Sequence, residues 1–386
     1  MTRSLLRAVP PLGGAATDVL IENDRFAAFG STVGAVDDVI DGAGFLMLPG
    51  PIESHAHIDK TLWGEPWRSN SAGPTLTDLI ENERRVLRTV TTPTASRAKA
   101  LVRHYVARGT TRLRTHVDVN PETGLGSVQA LLGLRERLRD LVDIELVAFP
   151  QRGMLITPGT ADLMDAAIGV GIETIGGIDP AGIGRDPIRH LETIFTIAER
   201  RGCAVDIHLH DGGELGAWQI ERIVDFVAAT GLQGRTMISH AYCLGELPPA
   251  RQEALGRRLA EQRVALMTTG AVRQRAAAGA AAARWASPCA WATTASAMPG
   301  RRSATATCWN APCCSPTAST GPRTPSSPRC SPASRPPRPA RWWPRPAASS
   351  RARGRWLADR LHRVDLTKLN NLTKLIIFRF RSAAHA

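Results

Sequence analysis

The stretch ETIGGIDPAGIGRDPIRHLETIFTIAERRGCAVDIHLHD, residues 173–211, contains two β-type runs on either side of a helical one. The runs at 173–178 and 204–209 are short and rich in apolar residues, whereas residues 187–201 place apolar side chains at helical spacing and end at Gly202. A strand, a helix and a second strand in this order predict a parallel pair joined by a right-handed crossover. The stretch therefore predicts an α/β fold.

The same alternation continues on both sides of this unit. Seven strands separated by helices predict a (β/α)8 TIM-type barrel that lacks its strand-eight unit. A doubly wound sheet is the alternative, but the polar residues lie at the carboxyl ends of many strands, where a barrel builds its site. The other predicted strands are 44–48 leading into 52–57, then 111–117, 143–149, 236–239 and 264–268, and the other predicted helices lie near 96–109, 125–141, 216–229 and 249–262.

Composition divides the chain into three parts. Residues 1–43 contain short apolar runs and are expected to form part of a small β-domain, and residues 44–272 form the barrel. Residues 1–272 carry a net charge of −5, whereas residues 273–386 carry +18. This last part is rich in Arg, Pro, Ala and Ser, with 13 prolines between 288 and 346, and is expected to be disordered.

Several classes of protein are disfavoured by the composition. No run reaches the roughly 18 apolar residues of a membrane span, and the amino-terminal residues lack the apolar core of a secretory signal, so a cytoplasmic location is the expectation. Five of the seven cysteines lie after residue 272, and this distribution does not indicate a disulfide framework. The sequence leaves a homo-oligomer open.

Histidines and other polar residues follow the predicted strands. Alternate residues of a strand point the same way, so His55 and His57 can face one ion, and His208 and His210 can do the same. Neutral imidazole suits Zn(II), Fe(II) and similar ions. His116 stands alone, which is typical of an interior histidine, and His210 is typical of a residue that lies beside the metal ligands. Six of the ten histidines at four strand ends nevertheless indicate a metal site.

Six segments, in order, resemble the barrel signatures of the amidohydrolase superfamily and, within it, the cytosine-deaminase-like branch. The similarity covers about residues 44–270. The segments are LPGPIESHAHIDKTLWGEPW (48–67), RTHVDV (114–119), VAFPQRGML (147–155), IGGIDP (175–180), VDIHLHD (205–211) and MISHAY (237–242).

The resemblance implies a role for each matching residue. His55, His57 and His208 would bind one divalent metal ion, Zn or Fe. His240 would orient or deprotonate the attacking water, and Asp211 would shuttle protons, with Glu214 as a rival. Gln151 would hydrogen-bond the substrate ring, and Asp179 is assigned to the same substrate-binding set. The implied reaction is hydrolytic deamination of cytosine or a related pyrimidine or triazine, a small heterocyclic substrate.

One expected part is absent from the sequence. Members of this superfamily are expected to complete the site with an aspartate after strand eight, but 97 residues without a carboxylate separate Glu261 from Asp359. When residues 288–311 are back-translated with GC-rich codons and read from the third base of each, they spell a run beginning Val-Arg-Leu-Gly-Asp-Asp-Gly, which resembles the missing signature. Some letters are forced, because Trp291 before Ala292 must give Gly. We hypothesise a frameshift near residues 270–287.

A different class of function is the alternative for the carboxyl-terminal part. Its net charge of +18 and its tryptophans could be interpreted as a basic nucleic-acid-binding extension on the barrel. Out-of-frame translation, which would leave a catalytically inactive product, explains the same composition and also the loss of acids. No specific nucleic-acid partner is therefore expected.

Overall fold

A computed structural model of the chain describes residues 2–23, 25–30 and 34–268, together with the backbone of two short strands at 289–291 and 375–379. The predictions of a disordered or nucleic-acid-binding region within residues 273–386 lie outside the described residues, apart from those two strands. No helix among the described residues is long and apolar enough to cross a membrane.

The amino-terminal residues form a small sheet with its own core. Its strands have the order β3-β2-β1-β4, with β1 antiparallel to β2 and parallel to β4. Leu6, Val9, Val19, Ile21 and Met47 pack together on one side of it. The strands are β1 (Arg3–Val9), β2 (Thr17–Glu22), β3 (Arg25–Phe29) and β4 (Asp38–Asp41). A further strand, β5 (Phe45–Pro49), leads into the barrel and pairs antiparallel with β14 (Leu375–Arg379).

The main sheet is parallel throughout, and its strands follow one another in chain order. Seven of them confirm the predicted incomplete barrel. An eighth, three-residue strand pairs with the seventh, Trp291 lying opposite Thr268, and its backbone comes within 8 Å of the first barrel strand. The strands are β6 (Ile52–Ala56), β7 (Arg112–Asp118), β8 (Asp143–Phe149), β9 (Thr174–Ile178), β10 (Ala204–Leu209), β11 (Thr236–His240), β12 (Ala265–Thr268) and β13 (Cys289–Trp291).

Helices cover the outside of this sheet and bury their apolar faces against it. Of the seven α-helices in the described residues, the sequence predicted five to within a few residues and missed α1 and α4. The helices are α1 (Leu76–Leu87), α2 (Thr94–Val106), α3 (Gly126–Leu138), α4 (Thr160–Gly169), α5 (Pro187–Arg201), α6 (Gly213–Thr230) and α7 (Pro249–Glu261), with a 3₁₀ turn at Tyr242–Gly245.

Helix α5 shows why the sequence folds in this way. The Asp186 carboxylate accepts a hydrogen bond from the Arg189 amide at 3.1 Å, Pro187 begins the helix, and Gly202 ends it in the left-handed region at φ 65°. Leu191, Ile194 and Phe195 are buried in the main core. Burial of each such side chain stabilises the fold by about 1.5–3 kcal/mol. The helix therefore holds β9 and β10 side by side, and their carboxyl ends meet.

Candidate metal centre and active site

Four imidazoles meet at the carboxyl end of the barrel. His55 and His57 come from the end of β6, His116 from β7 and His208 from β10, and their possible ligand atoms all lie within 4.8 Å of one another. His55, His116 and His208 are buried. The three residues predicted as metal ligands are thus brought together, and the structure adds His116 to them.

The spacing of these nitrogens suits one divalent ion. His57 Nε2 and His208 Nε2 lie 3.3 Å apart. Two nitrogens bonded at about 2.05 Å to one tetrahedral ion would be roughly 3.3 Å apart. Both nitrogens of His55 are buried without a hydrogen-bond partner, as are Nδ1 of His57 and Nδ1 of His208. Each buried unpaired group costs about 1–3 kcal/mol, so an ion that several of these imidazoles share would remove part of that cost.

The imidazoles are held in the form that binds metal. Burial lowers the pKa of His55, His57 and His208 well below the usual value, the Lys60 cation lowers that of His57 further, and the neighbouring imidazoles lower the pKa of all three. A neutral imidazole has a free lone pair, whereas a protonated one has none. These histidines are therefore ready to bind a cation at neutral pH without releasing protons.

His240 ends β11 beside this cluster. Its ring centroid lies 4.7 Å from that of His55 and 4.9 Å from that of His208. Tyr242 Oη is 3.3 Å from His240 Nδ1. His240 has φ 75° and Ala241 has φ 46°, a left-handed conformation that costs about 1–3 kcal/mol per residue. Strain of this kind accumulates at functional sites, and here it turns the chain directly after the histidine.

Asp179 supports His210. Asp179 Oδ2 lies 2.8 Å from His210 Nδ1, and Asp179 Oδ1 accepts hydrogen bonds from the backbone amides of His210 and Asp211. The His210 ring stacks on His240 with the centroids 4.3 Å apart. The structure thus places Asp179, which the sequence assigned to substrate binding, behind His210, and brings His210 against His240.

Asp211 and Glu214 are engaged elsewhere. Asp211 Oδ2 accepts hydrogen bonds from the Gly182 amide at 3.0 Å and from Gln219 Nε2 at 2.9 Å. The Glu214 side chain is 66% exposed and lies 3.3 Å from Arg251 Nη2. Neither carboxylate belongs to the group of side chains that the described residues gather around the candidate metal position. Asp211 instead fixes the loop that follows β9.

Gln151 follows β8 and is 8% exposed. Its backbone amide donates to Asp118. Its side-chain amide makes no hydrogen bond within the described part of the chain, so its donor and acceptor groups are available to a ligand. Its placement is compatible with the predicted role in substrate binding.

A buried lysine that was not predicted from the sequence lies beside the cluster. Lys60 Nζ lies 3.2 Å from Glu83 Oε1 and 5.6 Å from the centre of the Phe149 ring, which itself lies 4.2 Å from the His208 ring. Burial alone would lower the pKa of Lys60, but the carboxylates of Glu83, Asp59 and Asp118 raise it. The lysine is therefore a fixed cation. Its position three residues after His57 was the signal that could have identified it.

A buried ionic network lies beneath the imidazoles. Arg114 makes two 2.8 Å contacts with the Glu145 carboxylate and donates to Asp206 Oδ2 at 2.9 Å. Ser239 Oγ donates to Asp206 Oδ1 at 2.7 Å. These contacts join β7, β8, β10 and β11 inside the barrel. The network thereby fixes the strands whose ends carry the site.

Comparison with known proteins finds a family and several relatives of this chain. A model of the amidohydrolase family matches residues 38–297. The N-isopropylammelide isopropyl amidohydrolase of Pseudomonas sp. strain ADP is 30% identical over 243 residues, which are 60% of this chain and 59% of that protein. The chain spans 50% to 59% of the length of the curated relatives it matches.

Solved structures show the same architecture. The crystal structure of N-isopropylammelide isopropylaminohydrolase from Burkholderia multivorans is 40% identical, with a TM-score of 0.73, and covers 76% of this chain and 75% of that one. The 5-methylcytosine deaminase of Klebsiella pneumoniae, crystallised with phosphonocytosine, is 24% identical with a TM-score of 0.66, covering 78% of this chain and 77% of that one. The second likeness shows the fold alone.

Proposed function

The chain belongs to the amidohydrolase family, and we propose that its site is built for metal-dependent hydrolysis of a C–N bond in a small nitrogen heterocycle. The observation that carries this proposal is the convergence of buried, neutral, unpaired imidazoles with a 3.3 Å separation between His57 Nε2 and His208 Nε2. His55, His57 and His208 would hold one ion, with Zn and Fe both suited to imidazole. When bound, such an ion acts as a Lewis acid and lowers the pKa of a water from 15.7 towards about 7.

The surrounding residues supply the proton transfers. His240 lies beside the candidate ligands and would orient the attacking water and accept its proton. His210 stacks on His240 and is supported by the Asp179 carboxylate 2.8 Å from Nδ1. We therefore assign to His210 the proton delivery to the leaving amine that the sequence assigned to Asp211, because Asp211 is committed to Gly182 and Gln219. General acid–base catalysis of this kind contributes about 10²–10⁴-fold.

The substrate would be a planar, amino-substituted ring. The unpartnered amide of Gln151 can hydrogen-bond a ring nitrogen or carbonyl, and the buried Lys60 cation suits a ring that carries partial negative charge. Cytosine is one candidate from the sequence. The 30% and 40% identical relatives are named for N-isopropylammelide, which favours a triazine whose alkylamino group is the leaving group. Hydrolysis would release ammonia from the first substrate and an alkylamine from the second.

In this proposal, the reading frame of the carboxyl-terminal part limits catalytic turnover. Trp291 ends β13, and with the GC-rich codons chosen above the offset reading frame can write aspartates at positions 292 and 293, directly after it. An acid at the end of the eighth strand would accept the proton of the attacking water. Without it, the chain would retain the histidine ligands and His240 but lack the strand-eight acid that shares the proton transfer, so that it would act as a metal-binding product of low activity.

One comparison tests this proposal. The full chain, its His240→Asn variant and a version restored to the offset frame are each loaded with Zn(II), and ammonia or isopropylamine release is measured from cytosine, 5-methylcytosine and N-isopropylammelide. We expect the restored version to exceed the present chain by about 10²–10⁴-fold, the size of a lost acid–base group. Equal activity in both would overturn the role given to the missing acid, and absence of metal and product in both would overturn the hydrolase assignment.

A further inference from the structure

We propose that Gln219 is a positioning residue that holds Asp179, and through it His210, in place for proton transfer. This role rests on the proposed function and adds to it the residue that keeps the pair of Asp179 and His210 aligned. Gln219 acts through Asp211 and through the backbone of residues 179–184, which are called the β9 loop below.

Gln219 is a polar side chain on the apolar face of α6, and it is 0% exposed. A buried amide is costly unless its donors and its acceptor are satisfied. Oε1 accepts a hydrogen bond from the Ala181 amide at 3.0 Å, and Nε2 donates to Asp211 Oδ2 at 2.9 Å and to the Leu215 carbonyl oxygen at 3.3 Å. The whole amide group is therefore used. The other buried residues of α6 are Gly216, Ala217, Ile220, Ile223, Val224 and Val227.

Gln219 and Asp211 together clamp the middle of the β9 loop. The Gly182 amide donates at 3.0 Å to the same Asp211 Oδ2 that Gln219 binds. Two successive backbone amides, those of Ala181 and Gly182, are thus tied to α6 and to the segment after β10. A Cβ atom on Gly182 would lie 2.3 Å from Asp211 Oδ1, so the clamp requires glycine at this position.

The β9 loop begins at Asp179 in a strained conformation. Asp179 has φ 31°, and a residue with a side chain keeps such a conformation only where its surroundings fix it. Its amide donates to the His208 carbonyl oxygen, and its own carbonyl oxygen accepts from the amides of Ile183 and Gly184, each at 2.9 Å. These two amides directly follow the clamped pair. Release of the clamp would therefore free the turn that holds Asp179.

The position of Asp179 decides which nitrogen of His210 carries a proton. Asp179 Oδ2 lies 2.8 Å from His210 Nδ1. Because an ionised carboxylate only accepts hydrogen bonds, Nδ1 carries the proton of this contact. Nε2 is then the nitrogen that exchanges a proton with the substrate. If Asp179 moves, both the tautomer and the ring orientation of His210 lose their support.

NMR of the full chain, labelled with ¹⁵N and free of metal, tests this role through the Nδ1 proton of His210. Because a carboxylate holds this proton, we expect a downfield resonance that exchanges slowly with water and that His210→Asn removes. In Gln219→Met and in Gly182→Ala, the exchange should become about 10–100-fold faster, the equivalent of losing a hydrogen bond to a charged group. A change that affects only the stability of the fold would not move this signal.

Two matched variants serve as controls and should keep the exchange rate of the parent chain. Gln252→Met removes a glutamine of α7 that donates to the Leu247 carbonyl oxygen at 2.8 Å, and Gly126→Ala adds a methyl group where no other part of the described chain lies within 4 Å. Circular dichroism shows which variants fold, and Gly182 lies exposed on the loop, so Gly182→Ala decides the outcome if Gln219→Met does not fold. An unchanged exchange rate in either folded variant would overturn the inference, as would absence of the resonance from the parent chain. Failure to bind zinc would overturn the proposed function but would not affect this measurement.

Discussion

Replacement of Arg114 by methionine should destabilise the barrel far more than the same change two residues earlier. The side chains of Arg114, Glu145 and Asp206 are 10%, 5% and 0% exposed. Arg114→Met keeps the length of the apolar stem but leaves both carboxylates without their cation. Breaking a buried ion pair in this way costs about 3–5 kcal/mol in the free energy of unfolding, because an uncompensated charge stays buried. With two carboxylates affected, we expect the upper end of that range.

Arg112→Met is the matched control. Arg112 lies on the same strand and pairs with Asp143 on the same neighbouring strand, but the distance is 3.5 Å and the side chains are 33% and 46% exposed. An exposed pair of this kind contributes about 0–1 kcal/mol. Both variants differ from the parent by one arginine, so any effect of net charge cancels in the comparison.

Urea denaturation followed by circular dichroism and tryptophan fluorescence measures both costs. The predicted difference between the two variants is about 2–5 kcal/mol. Equal midpoints for Arg114→Met and Arg112→Met, with equal slopes, would show that the network beneath the imidazoles does not anchor the strands. The triple replacement of Arg114, Glu145 and Asp206 by apolar residues should recover much of the loss, since no charge would then remain buried.

Three further perturbations have defined outcomes. Burial lowers the pKa of His190 from a usual 6.5 to about 4, although the Asp179 carboxylate raises it. The stability that is present above pH 6.5 should therefore be lost as the pH falls towards 4, by up to about 3 kcal/mol. His190→Asn should flatten this part of a profile of the urea midpoint against pH. Ile194→Ala should cost about 2–5 kcal/mol in thermal and urea unfolding, because the side chain is 0% exposed, whereas Ile188→Ala on the same helix, 39% exposed, should cost less than about 1 kcal/mol. Zn(II) at 100 times its dissociation constant should raise the free energy of unfolding by about 2.7 kcal/mol. EDTA should reverse this stabilisation, and His208→Asn should abolish it. Stabilisation by zinc that survives His208→Asn would indicate another site.

Much of the fold was predictable from the sequence because a parallel barrel repeats one unit. The alternation of β-type runs with helical spacing located β8, β10 and α5 with the bounds that the structure has. Helix α1 was missed although its start carries a signal, since Thr75 and Asp78 form a capping box. Helix α4 has no side-chain cap and begins after Gly159 in the left-handed region, so its sequence resembles a loop.

The candidate ligands were predictable for the same physical reason. Alternate residues of a strand share a face, and this places His55 with His57 and aims His208 at them. This rule applies only to residues within a strand. Asp211 lies beyond β10, where loop geometry directs its carboxylate to Gly182 rather than to the imidazoles. No alternation could have indicated that direction.

The partners behind the ligands were less predictable. His116 has no second histidine beside it, so the sequence favoured an interior role; its proximity to His55 and Asp206 depends on how three strands pack. The role of Lys60 was equally hard to predict, because it depends on Glu83, which lies on a helix that was not predicted from the sequence. Contacts between separate elements are the part that a single sequence does not specify.

Anomalous diffraction at the zinc edge, from crystals of the full chain grown with Zn(II), shows where the ion binds. We expect one peak between His57 Nε2 and His208 Nε2, at about 2.0–2.1 Å from each and within bonding distance of His55. A zinc peak elsewhere, or none at these histidines, would contradict the proposed metal centre.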